Sequence, residues 1–203
     1  EQVRLPAWLP PERDEPLSAY ARRMAEAVGA QHQREGGGEM FIGGFSFGGQ
    51  VAMEMVRHLS PLPRGVVLIC GVRGREQFTR AFAAQQVLGR FVPLFIQRRL
   101  YGPMARRFAA RCGLSAEHTR TLVEMARDND PLFLRWSARA CASWSGEPDL
   151  CGVRVWHIHG QRDDVIPDPR SRADLTLPGA HHLITWTHAR EVAAFIRMAA
   201  GLG

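Results

Sequence analysis

The segment Gly65-Val66-Val67-Leu68-Ile69-Cys70 has no polar residue and no alternation between inward and outward positions. A strand without a polar face must be covered on both sides, which is the situation of a strand inside a parallel sheet. Met40-Phe41-Ile42 reads as a second short buried strand, and strand patterns return at Val153 to His159 and at Ala173 to Leu177. Helical patterns lie between them. Pro16 suits the first turn of a helix whose apolar face carries Leu17, Tyr20, Ala21, Met24 and Val28. Val51 to Leu59 reads as a helix, and a last amphipathic helix carries Ala189, Val192, Ala193 and Ile196. Strands alternating with helices imply an α/β fold with a mostly parallel sheet flanked by helices.

Ahead of these elements, an extended run from Gln2 to Leu5 leads into a turn bounded by Pro6, Pro10 and Pro11, and Gly36-Gly37-Gly38 forms a loop. The stretch from Arg73 to Glu147 has helical periodicity and no strand, with Ser115 placed as the N-cap of a helix running through Met125. A chain of 203 residues makes one domain with a sizeable core. The expected division is therefore a first part of the core over residues 1–72, a helical lid insert over 73–148, and a second part of the core over 149–203.

Gly44-Phe45-Ser46-Phe47-Gly48 sits between the first strand and the helix that follows it. Gly-x-Ser-x-Gly in this setting predicts a tight, strained turn that projects the serine hydroxyl above the sheet. Gly44 and Gly48 are expected to leave room where a Cβ would clash with the neighbouring strand and helix. The competing readings are an idle serine on a Gly-rich turn or a phosphate cradle; a Walker loop would need a lysine, and the chain contains none. A serine hydroxyl needs a base to become a nucleophile, and the base needs an orienting carboxylate. His159-Gly160-Gln161-Arg162-Asp163-Asp164 follows a buried strand and offers Asp163 first and Asp164 as the alternative. Pro178-Gly179-Ala180-His181-His182-Leu183 follows the next strand and offers two adjacent histidines, only one of which can point at Ser46.

These segments resemble the α/β-hydrolase superfamily, whose chain order is serine, acid, histidine. The nearer resemblance is to a bacterial branch with a Trp-x-Pro-Pro opening (Trp8-Leu9-Pro10-Pro11), an Asp-x-x-Phe-Leu-x-Trp motif (Asp130 to Trp136) and a His-Ile-His-Gly strand (His157 to Gly160). It implies an α/β-hydrolase fold with a helical lid and a catalytic set of Ser46, Asp163 and His182. Spacing back from Ala189 and Glu191 places the family histidine on His182, so that His181 replaces a small residue. It also implies that the backbone N–H of Phe47 donates to the oxyanion. The second oxyanion donor normally comes from a His-Gly loop after an earlier strand, and nothing before Ser46 matches it. The turn comes early, with space for one strand and one helix ahead of it. The expectation is that the chain lacks the first strands of the fold or builds its oxyanion hole otherwise.

The implied reaction is cleavage of an ester or thioester through an acyl-enzyme, with a small-molecule acyl substrate and no cofactor. The apolar run Phe91, Leu94, Phe95, Ile96 and Leu100, beside Arg98 and Arg99, is expected to shape the pocket for an apolar acyl group with an anionic portion; the competing reading is lid core with a solvated basic face. Three other readings compete: hydrolysis of C–C, amide or lactone bonds by the same residues, an inactive fold-mate that only binds ligand, and a peripheral membrane protein using 91–111 as an interfacial helix pair.

The net charge of +6 comes entirely from arginine, scattered apart from a denser stretch from Arg98 to Arg111, and no nucleic-acid-binding motif accompanies it. No apolar run approaches the length needed to span a bilayer. The first residues show no secretory signal, and the missing initiator Met leaves room for residues before Glu1. Cys70, Cys112, Cys141 and Cys151 have neither metal-ligand spacing nor disulfide density, and read as reduced structural thiols of a cytoplasmic protein. His157 and His159 share a strand face, but two ligands are too few for a metal, and no metal site is expected.

Overall fold

A computed structural model describes residues 3–78, 92–146, 148–167 and 173–202 of the chain. Four parallel strands form one sheet in the order β1-β2-β3-β4: Phe41–Phe45, Gly65–Ile69, Arg154–Gly160 and Leu175–Leu177. The register runs Phe41 to Gly65, Gly65 to Arg154 and Ile158 to Leu175, and β1 stands at the edge of the sheet among the described residues. This is the parallel α/β architecture of an α/β hydrolase.

The unbroken apolar run of β2 is explained by its two coverings. Val66 and Leu68 enter one core cluster with Leu17, Tyr20 and Met24 of α1 (Leu17–Arg34) and Val51 and Met53 of α2 (Phe47–Met55). Val67, between them, enters a second cluster on the opposite face. That cluster holds Ile158, Leu177 and Ile184, together with Val192, Phe195 and Ala199 of the last helix (Ala189–Ala199). The apolar stripe of that helix therefore differs from the expected one. Ala189 and Ala193 are exposed, because the helix turns its larger side chains to the sheet. Likewise, α2 begins at Phe47, directly after Ser46, rather than at Val51, and ends in a 3-10 turn over Val56–His58. Pro16 caps α1 from outside its first turn.

Between β2 and β3 the described residues form three helices: α3 (Leu94–Arg111), α4 (Ala116–Asp128) and α5 (Pro131–Ser143). Ser115 caps α4 as expected, accepting the His118 N–H at 3.1 Å. Asp130 caps α5 through the Leu132 N–H, with Pro131 at its first position. The motif from Asp130 to Trp136 fastens α5 to the core: Trp136 is buried, and its indole N–H donates to the Glu15 carbonyl at 2.9 Å. The Trp144 indole N–H likewise donates to α2, to the Glu54 carboxylate Oε1 at 2.8 Å. After β4, a single turn α6 (Ile184–Thr187) precedes the last helix, α7. Val3 to Pro16 is irregular, with no sheet partner, and Gln2 and Phe91 lie outside the described residues. No helix among the described residues is long and apolar enough to cross a membrane.

Candidate active site

Each strand delivers one residue to the carboxyl edge of the sheet: Ser46 after β1, Cys70 after β2, Asp163 after β3 and His182 after β4. Backbone hydrogen bonds extend the ladder past the strand ends and hold these loops in register. Ser46 N–H donates to the Ile69 carbonyl at 2.8 Å, Cys70 N–H to Ile158 at 2.9 Å and Gln161 N–H to Leu177 at 3.0 Å.

Ser46 has φ 53° and ψ −120°, a conformation that costs a non-glycine residue about 1–3 kcal/mol. The close approach that permits this turn is at Gly44, where a Cβ would run into the Gly48 carbonyl. Gly48 itself is not sterically required, contrary to the expectation. A Cβ there would meet only Trp8 at 3.8 Å, whereas the tighter position is Gly49, with Leu68 at 3.0 Å. Gly160 plays the matching part between the other two loops: a Cβ would strike the Ala180 and His181 carbonyls. Arg162 N–H donates to the Ala180 carbonyl at 2.7 Å, drawing the loops together.

The result is a continuous chain of contacts. His182 Nε2 lies 3.1 Å from Ser46 Oγ, and His182 Nδ1 lies 2.6 Å from Asp163 Oδ2. Asp163 Oδ1 accepts the Val165 and Ile166 N–H groups, both at 2.9 Å, which fixes the carboxylate plane. Asp163 is 3% exposed, so its charge needs those donors. Burial pushes its carboxyl pKa up, but the hydrogen bond and charge of His182, the Ile166 N–H and the nearby His159 outweigh it and hold it below the ordinary range.

Of the two adjacent carboxylates, Asp163 meets His182, and Asp164 pairs with Arg111 at the end of α3. Of the two histidines, His182 reaches Ser46; no hydrogen bond joins His181 to Ser46 among the described residues. The His182 ring is flanked by Phe45 at 5.0 Å and Phe108 of α3 at 6.1 Å between centroids. The N–H of Phe47, at the first position of α2, has no intrahelical acceptor.

Residues beyond the expected set also converge here. Cys70 is buried, with φ 47°, and its sulfur, a carboxylate oxygen of Asp163 and a ring nitrogen of His182 all lie within 4.8 Å of one another. That trio has the residue types of a metal site, and its His182 is the ring held between Asp163 and Ser46. Burial and the Asp163 charge push the Cys70 thiol well above its ordinary range, and the His182 nitrogen facing Asp163 carries the hydrogen bond. His159 Nε2 lies 2.7 Å from the Ile166 carbonyl and 3.3 Å from Asp163 Oδ2, so it carries the proton and donates. His159 Nδ1 faces His157 Nε2 at 3.4 Å. The His-Ile-His-Gly strand thus supports the acid loop from behind. Its signal in the sequence is the pair of polar residues on one face of a buried strand.

A cavity of about 200 Å³ opens beside Ser46, lined by Phe47, Gln50, Val72, Phe78, Cys141 and Ile166 among others. The apolar run on α3 does not shape it: Leu94, Phe95, Ile96 and Leu100 are absent from its lining, and Phe95 is 64% exposed. The wall comes from α5 instead, through Ser137, Ala138 and Cys141, because the two tryptophan anchors pull α5 against α1 and α2.

The fold has counterparts among known proteins. An esterase from Thermogutta terrifontis superposes with a TM-score of 0.68 at 18% identity, covering 91% of this chain and 71% of its own. A hydrolase from Oleispira antarctica gives 0.65 at 15% identity, with 91% and 72% covered. The meta-cleavage product hydrolase of Pseudomonas fluorescens gives 0.59 at 21%, with 94% and 75% covered. No curated protein matches the sequence. The family signature of the alpha/beta hydrolases matches residues 3–195, nearly the whole span that carries the four strands and their loops. By fold and by sequence, this chain is an enzyme of hydrolase type and belongs to the alpha/beta hydrolase family.

Proposed function

We propose that the protein cleaves an ester or thioester through an acyl-enzyme on Ser46, with His182 as general base and Asp163 orienting it. The carrying observation is the unbroken set of contacts from Ser46 Oγ to His182 at 3.1 Å and on to Asp163 at 2.6 Å. As Ser46 Oγ attacks the substrate carbonyl, its proton passes to His182 Nε2, and the Phe47 N–H donates to the oxygen that becomes negative. His182 then gives the proton to the departing alcohol or thiol. Water repeats the sequence, losing a proton to His182 and releasing the acid. Asp163 keeps the Nδ1 proton in place and stabilises the imidazolium; its depressed pKa keeps it ionised throughout. The helices between β2 and β3 form the lid, and the largely apolar cavity under α5 takes the acyl group.

Labelling by a fluorophosphonate probe tests this reading. Intact mass should show one adduct on the wild type and none on Ser46→Ala. An unlabelled, well-folded wild type would refute it. On p-nitrophenyl esters, hexanoate should be turned over faster than acetate, because only the longer chain fills the cavity. Equal or reversed rates would remove the acyl-pocket assignment.

A further inference from the structure

Gln50 stands one helical turn after Ser46, on the face of α2 that lines the cavity. It is 1% exposed. Its Oε1 accepts the thiol of Cys141 on α5 at 3.2 Å, whereas its Nε2 is buried with no hydrogen-bond partner. The thiol settles which end of the amide is which. Burial pushes the Cys141 pKa up to about 12, so the sulfur keeps its proton and donates it to the oxygen. Two N–H groups are thereby left without an acceptor on a side chain of the cavity wall, beside Phe47, Val72, Phe78, Ser137 and Ile166. A buried donor without a partner is destabilising, a burden in a helix otherwise packed as core.

The side of the scissile bond that this donor serves follows from proton transfer. The leaving atom must receive its proton from His182 Nε2, so the leaving group lies on the His182 side. His182, Phe45 and Phe108 are absent from the cavity lining, so the cavity takes the acyl side. Four residues of helix advance about 6 Å, or about four or five covalent bonds beyond the carbonyl carbon that Ser46 attacks.

We infer that the Gln50 amide recognises a carbonyl oxygen, of a ketone or an amide, carried part-way along the acyl chain. Resting on the acyl-enzyme reading above, this names the substrate class as oxo- or amido-acyl esters and thioesters rather than plain alkanoyl ones. The bond is a neutral N–H···O contact in a desolvated cavity, and its effect on substrate choice should be about two- to tenfold.

The experiment compares kcat/KM for the p-nitrophenyl esters of hexanoate, 5-oxohexanoate and N-acetyl-β-alanine, which have chains of six atoms each; the last two carry a carbonyl at the fifth chain atom, and the last also has nitrogen at the fourth. Wild type should favour the two oxygen-bearing esters by about two- to tenfold. Gln50→Leu and Gln50→Met should bring that ratio to one or below. A ratio of two substrates on one preparation is insensitive to the fraction folded, so a destabilised variant still reports. A wild-type ratio at or below one, with hexanoate turned over and Ser46 labelled, would overturn the inference and leave the acyl-enzyme reading standing. A preference that survives both variants would overturn it equally. No turnover of any ester, with no label on Ser46, would remove both.

Discussion

The sheet and the three helices inserted after β2 are held to the molecule very differently. Helix α2 has nine residues and buries seven of them; α3 has 18 and buries two, Gly102 and Ala109; α4 has 13 and buries one. Phe95, Leu100 and Met104 of α3 are each 45% exposed or more. The loops at the sheet edge are fixed by ladder hydrogen bonds, two close glycine approaches and a carboxylate with several donors. The helical insert touches the same edge through a few side chains: Phe108 against His182, Arg111 with Asp164, and the α5 wall beside Gln50. A site built this way separates its duties. On the proposed mechanism the edge sets the chemistry, and the inserted helices, α3 and α4 lightly packed and α5 pinned by its tryptophans, set what reaches it.

The sharpest test of that division uses the two neighbouring carboxylates. Asp163 belongs to the rigid edge and Asp164 to the contact with α3. On the proposed mechanism Asp163→Asn should lower kcat/KM about 10⁴-fold, as loss of the orienting carboxylate does in other serine triads, while Asp164→Asn should change it by no more than a few fold. Steady-state kinetics on a p-nitrophenyl ester with both variants decides this. Comparable losses in the two would mean that the insert and the edge act as one unit.

Stability should divide along the same line. Met53 is fully buried in α2, and Met104 is 54% exposed on α3. Met53→Ala should cost about 2–5 kcal/mol, and Met104→Ala less than about 0.5 kcal/mol. Urea titration followed by circular dichroism measures both. A large loss at Met104 would show that α3 carries structural weight that its exposure does not reveal.

The same contrast governs what was legible in the sequence. The run of β2 can be read directly because a strand covered on both faces has no polar positions to confuse it, and β3 is read from Val155, Trp156 and Ile158 around its two histidines. The three loop residues follow from their places after β1, β3 and β4, and the resemblance chooses His182 over His181. The start of α2 was less legible, since Phe47, Gly48 and Gly49 are poor helix formers that packing against β2 overrides. The facing of α7 was ambiguous because alanine serves equally on either side of a helix. The apolar run from Phe91 to Leu100 points to α3 as the cavity wall, whereas α5 forms it. Periodicity shows that a helix has an apolar face, but not which neighbour covers it, and the tryptophan contacts that place α5 span more than 90 residues of sequence or close to it (Trp136 to Glu15 and Trp144 to Glu54). Gln50 was visible only as a polar residue in an apolar helix, an anomaly whose meaning depends on the thiol from α5.

The smallest effect concerns what the rigid edge costs. Ser46 holds a positive φ that glycine adopts without penalty, and its N–H is tied to the Ile69 carbonyl so that the turn cannot relax. Ser46→Gly relieves about 1–3 kcal/mol of strain that Ser46→Ala keeps, and after the roughly 0.4–1 kcal/mol that glycine freedom in the unfolded chain takes back, it should be the more stable variant by up to about 2.5 kcal/mol. Both variants lack the hydroxyl, so the comparison isolates the backbone from the loss of the His182 contact. For a domain of this size each kcal/mol moves the midpoint by about 2–4 °C, within reach of differential scanning calorimetry. A glycine variant that melts higher would show that the strain sits at the nucleophile and is paid for by the sheet beneath it. Equal melting would mean that the turn is relaxed in the folded protein, and the rigidity ascribed to the edge would then rest on its hydrogen bonds alone.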